Sequence, residues 1–159
     1  MKKSIYKQIA IIIAVLTMSV TAVAQEKGNM AVGATMAVGA GSEHYNSSIG
    51  LGAKFQYNVT NPIRLEGSVT SLLGRDGGRL DLSVNAHYLF PVATNIKVYP
   101  LAGLNLIKRS AEISNRFGVN LGGGVDSKIT NNLIFNTELT CKANVDLEVY
   151  MSVGVAYLF

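Results

Sequence analysis

From Met30 to Phe159 the chain alternates. Near its end, Leu147, Val149, Met151, Val153, Val155, Tyr157 and Phe159 share one parity, and all are apolar. Glu148, Tyr150, Ser152, Gly154, Ala156 and Leu158 hold the other. A strand has a period of two, so these sets face opposite sides of a sheet. The pattern recurs at Met30, Val32, Ala34, Met36 and Val38, and again at Ile49, Leu51, Ala53, Phe55 and Tyr57. A weaker third stretch is led by Leu65 and Val69. Leu80, Leu82, Val84, Ala86, Tyr88 and Phe90 form a fourth, and Ile96, Val98, Ala102, Leu104 and Leu106 a fifth. Phe117, Val119, Leu121 and Val125 mark a sixth, and Leu133, Phe135, Leu139 and Cys141 a seventh. With the terminal stretch there are eight, the even number that a closed antiparallel barrel needs. No helical period appears in this region.

The connections alternate as well. "NVTNP" at 58–62, "PVATN" at 91–95 and "KITNN" at 128–132 are short and rich in turn-formers. They read as periplasmic turns. "AGSEHYN" at 40–46, "GRDGG" at 74–78, "RSAEISN" at 109–115 and "ANVD" at 143–146 then face outside. Pro100 falls inside the fifth stretch and removes a ladder donor, so a bulge is expected there.

The start of the chain has a different grammar. Lys2, Lys3 and Lys7 precede an apolar run centred on Ile9 to Leu16, and Ala22-Val23-Ala24 closes it. That is the pattern of a secretory signal peptide cleaved after Ala24. The expected organisation is a signal at 1–24 and a barrel domain at 25–159. Losing the three lysines takes the net charge from +4 to +1, so the basic balance belongs to export and not to nucleic-acid binding. Cys141 is the single cysteine, so no intrachain disulfide can form. With 15% charged residues, the chain is poor in charge for a soluble domain of its size.

An alternating barrel can face either way. A soluble one turns its apolar parity inward; a membrane barrel turns it to lipid. The apolar parity here carries no charge along the body of any strand. The opposite parity carries Lys54, Arg64, Arg79, Lys97 and Lys142 against Glu66, Asp81, Asp126, Glu138 and Glu148. Balanced long side chains suit a narrow lumen where they can pair. Gly33, Gly39, Gly50, Gly52, Gly103, Gly118, Gly122, Gly124 and Gly154 share that parity and would leave them room. Tyr57, Tyr88, Phe90, Phe135, Tyr157 and Phe159 sit on the apolar parity near the short turns, like an interfacial girdle, with Phe117 the main aromatic at the other end. The expected fold is an all-β, eight-stranded, antiparallel, up-and-down transmembrane barrel.

The signal peptide, the eight strands and the terminal "VGVAYLF" resemble the small OmpA/OmpX-type outer-membrane β-barrels. The resemblance covers the whole chain after the signal. It implies a Gram-negative outer membrane, with lipids, periplasmic chaperones and the outer-membrane assembly machinery as partners. Val153, Val155, Tyr157 and Phe159 are similar to the signal that this machinery reads. The outer connections are shorter than the protruding sheets of some OmpX-type relatives, which argues against adhesion by tall loops.

Little else points to chemistry. His44 lies in an outer loop and His87 on the lumen parity; no cluster of metal ligands is visible. Ser42, Glu43 and His44 are consecutive loop residues and make a poor hydrolytic triad. No catalytic residue, metal or cofactor is expected. The expected role is a non-enzymatic, monomeric structural or interaction component of the envelope. Its lumen would be largely plugged, because eight strands enclose just enough space for side chains. The alternatives are a narrow ion or small-solute channel, or a soluble periplasmic barrel holding an apolar ligand.

Overall fold

The computed structural model describes residues 27–41, 47–74, 77–109, 115–144 and 147–159. The expected signal peptide, its cleavage site, and Ser42, Glu43 and His44 lie outside these residues. The strands are β1 (Met30–Gly41), β2 (Ser47–Asn58), β3 (Ile63–Gly74), β4 (Gly77–Tyr88), β5 (Phe90–Ala93), β6 (Ile96–Arg109), β7 (Asn115–Lys128), β8 (Leu133–Ala143) and β9 (Leu147–Leu158). All pairings are antiparallel, and each long strand pairs with its neighbours in sequence. The ring closes where β1 meets β9, from Ala31 opposite Leu158 to Gly41 opposite Glu148. Met30 and Phe159 add a reciprocal backbone pair at 2.9 and 3.3 Å.

Among the described residues, nine segments make eight staves. β4 and β5 flank Leu89, and both pair with β6 in one register: His87 faces Leu101 and Phe90 faces Val98. The interruption lies opposite Tyr99 and Pro100, where proline has no N–H to give the ladder. The bulge expected at Pro100 is therefore absent. Pro100 stays in register with Gly123 on its other side, and its face does not slip. The irregularity falls instead between Pro91 and Ala93. The turn expected at 91–95 shrinks to Thr94 and Asn95, because Phe90–Ala93 is paired strand.

Twelve residues at about 3.4 Å rise and a tilt near 40° span about 30 Å, the thickness of a hydrocarbon layer. β1, β2, β3, β4 and β9 have that length. The turns at 59–62, 94–95 and 129–132 share one rim with Met30 and Leu158, where Leu158 N–H donates to Asn132 C=O at 2.7 Å.

The barrel is inside out relative to a soluble protein. Val84 and Leu104, cross-strand partners at mid-height, are 63% and 64% exposed. Arg64, Asp81, His87 and Asn120 are at most 1% exposed. A soluble barrel holding an apolar ligand is overturned by this polar interior. The interior wall is uneven. β1 offers it only Ala31, Gly33, Thr35, Ala37, Gly39 and Gly41, and β9 adds Ser152, Gly154 and Ala156. The long lumen side chains come from the remaining staves and, near the far rim, from Glu148 and Tyr150 of β9.

Candidate functional site in the barrel lumen

The polar interior has two tiers. In the tier nearer the short turns, Arg64 on β3 reaches Asp126 on β7 at 2.5 Å. Its Nε and Nη2 approach His87 Nδ1 at 3.2 and 2.9 Å. A guanidinium only donates, so Nδ1 accepts, and the proton of the neutral ring sits on Nε2. The His87 ring stacks on Tyr99 at 4.7 Å, and the Arg64 guanidinium also lies 4.7 Å from the centre of the Tyr99 ring. The Tyr99 hydroxyl donates to Glu138 at 2.8 Å. Lys54 on β2 stands between Glu66, at 3.5 Å, and Glu138, at 3.3 Å. Gln56 donates to Glu66 at 2.8 Å.

The far tier is smaller. Lys142 on β8 meets Asp81 on β4 at 2.5 Å, and Ser83 donates to the other Asp81 oxygen at 2.7 Å. Arg79 on β4 meets Glu148 on β9 at 2.8 Å, and the Tyr150 hydroxyl donates to Glu148 at 2.6 Å. Between the tiers, Asn105 donates to Asn120, and Asn120 to Asn85 at 2.9 Å. A cavity of about 50 Å³ lies beside this amide chain, bounded by Lys54, Glu66 and Glu138 on one side and Lys142 and Tyr150 on the other.

Of the ten charged residues singled out in the sequence, Lys54, Arg64, Glu66, Arg79, Asp81, Asp126, Glu138, Lys142 and Glu148 enter these ion pairs. Lys97 is placed beside them by register, opposite Asp126. The glycines of this parity make room. A Cβ on Gly124 would sit 2.7 Å from the Tyr99 ring, and one on Gly39 would sit 2.3 Å from the Tyr150 ring. Val153, Val155 and Tyr157 face outward along the β1 seam, opposite Met36, Ala34 and Val32. Of the girdle aromatics, Tyr88 and Phe90 touch at 4.7 Å on the turn rim, and Phe117 at the far rim is 77% exposed. Cys141 is exposed on the outer face.

The residue profile of the outer membrane protein β-barrel domain matches residues 10–157. The chain belongs to this family. The outer membrane is accordingly its place, and lipids are its surroundings. Among solved structures, the N-terminal β-barrel domain of Pseudomonas aeruginosa OprF is similar at a TM-score of 0.70 and 19% identity, over 85% of this chain and 100% of that one. OprG of Pseudomonas aeruginosa is similar at 0.65 and 14%, over 86% and 98%. Neisserial surface protein A is similar at 0.63 and 17%, over 82% and 96%. At these identities the likeness is one of fold. No curated protein sequence matches the chain.

Two lumen aromatics, Tyr99 and Tyr150, show no functional role in the sequence. Tyr99 shares parity with Lys97, and Tyr150 with Glu148, so their inward aim was available from period alone. Their importance was not, because each is defined by a partner on another stave. The grouping of Glu66, His87 and Glu138 is also invisible in sequence: it joins β3, β4 and β8, with one ligand atom of each within 4.8 Å of the others.

Proposed function

We propose that this chain is a non-enzymatic structural or interaction component of the outer membrane whose lumen is held shut by its own ion pairs. The observation that carries this reading is the span of the braces. Arg64–Asp126, Lys54–Glu138 and Lys142–Asp81 join staves three places apart in the ring, and Arg79–Glu148 joins staves that stand opposite. Such pairs cross the bore instead of running along its wall. The short-turn rim faces the periplasm, residues 1–24 are an export signal, and the finished barrel at 25–159 is monomeric. In planar bilayers the purified barrel is expected to give no steady single-channel current. Steady currents would replace this reading with a narrow ion or small-solute channel. The cavity between the tiers favours that second reading, since a crossing ion could rest there.

Val153, Val155, Tyr157 and Phe159 serve as the assembly signal in this reading. Outward apolar side chains at alternate positions beside the closing seam are what supports it. Phe159→Ala should lower the yield of inserted barrel in cells severalfold. The same variant refolded into detergent should keep its heat-modifiable migration on gels. Undiminished insertion in cells would remove the assembly role.

A further inference from the structure

We propose that Glu66, His87 and Glu138 form a divalent-cation site of zinc-like chemistry in which the Lys54 ammonium is the competing occupant. All three groups are buried, at 3%, 1% and 7% exposure. Two carboxylates and one imidazole are a donor set that suits zinc, completed by water. In a tetrahedral site with bonds near 2.1 Å, ligand atoms stand about 3.4 Å apart. The present spread of up to 4.8 Å must close to that by side-chain rotation when the metal enters.

A second, independent observation points to a ligand. His87 Nε2 is buried without a hydrogen-bond partner, and so is Oε1 of Gln56, whose amide nitrogen already holds Glu66. Buried polar atoms of this kind call for something to bind. The position also already attracts positive charge, since Lys54 stands within 3.5 Å of both carboxylates. The adjoining cavity of about 50 Å³ can take the displaced ammonium or the water ligands of a metal.

Loading requires one rearrangement. Nε2 must lose its proton so that its lone pair faces the metal, and Nδ1 must take one in exchange. Arg64 then withdraws Nε and Nη2 from the ring and keeps its Nη1 bond to Asp126. The tautomer changes, and no net proton is released from the ring.

The test uses the folded barrel in detergent with His44→Ala throughout, so that the other histidine cannot contribute. Titration with zinc alone is read by calorimetry, and cobalt substitution is read by its visible spectrum. Adding Lys54→Met should give one zinc per barrel, bound about tenfold or more tighter than with Lys54 present. Adding His87→Ala should cut that affinity by about tenfold or more. A folded Lys54→Met barrel with no tighter zinc binding overturns the proposal. So does binding that His87→Ala leaves unchanged. Should Lys54→Met fail to fold, the barrel retaining Lys54 still decides. Zinc should raise its unfolding temperature, and His87→Ala should abolish the rise; no rise at millimolar zinc overturns the site.

Discussion

Arg64→Met will destabilise the barrel by about 3–5 kcal/mol, because it removes the guanidinium that pairs with the buried Asp126 carboxylate. Arg64 is 0% exposed and Asp126 3%. Lys97, opposite Asp126 in register, offsets only part of the charge, while Lys54 is engaged by Glu66 and Glu138, and His87 loses the donor to Nδ1. The measurement is equilibrium unfolding by urea in phospholipid vesicles. Replacing both partners, with Arg64→Met and Asp126→Leu together, should recover most of the loss, since two desolvated charges are removed along with their attraction. A single variant as stable as the parent would mean that water reaches Asp126 freely and that the tier is not a closed brace.

Leu104→Arg will cost about 2–4 kcal/mol in a bilayer, the penalty of a guanidinium on the lipid face near the midplane. Leu104 is paired with Val84 on one side and Val119 on the other, all three on the outward parity. Its chain neighbour Asn105 points the other way and is 2% exposed. An arginine one residue along would enter the polar lumen beside Asn120 instead. Unfolding in vesicles of two thicknesses reads the effect, which should shrink in the thinner bilayer as the side chain snorkels to the interface. No cost in either bilayer would place Leu104 outside the hydrocarbon layer.

The strands were legible in the sequence because their signal is local. Leu147 to Phe159 needs only a period of two to be read as a strand, and the lumen parity of Glu148 follows from the same count. What could not be read depends on staves that are distant in sequence. Pro100 is an instance: its missing donor breaks pairing at Leu89 on the neighbouring stave, a result fixed by register and not by any residue near it. His87 is another. On its own stave it sits between Ala86 and Tyr88, and nothing there announces Arg64 or the Tyr99 ring. The charged residues were recognisable as one set, yet which partner each would take was set by barrel shear.

The small residues along the inner faces of β1 and β9 have a consequence for alignment. The strands that close the ring come from opposite ends of the described chain, and a slide by two residues would keep every side chain on its proper face. Neither strand's middle holds a long side chain that could stop such a slide. Its ends do. Moved one way, the Tyr150 ring would leave Gly39, where it fits only for want of a Cβ, and strike Ala37. Moved the other way, Met30 would part from Phe159 and forfeit both of their backbone hydrogen bonds. The seam is thus keyed at its two rims and smooth between them, like a drawer whose travel is limited only by its stops.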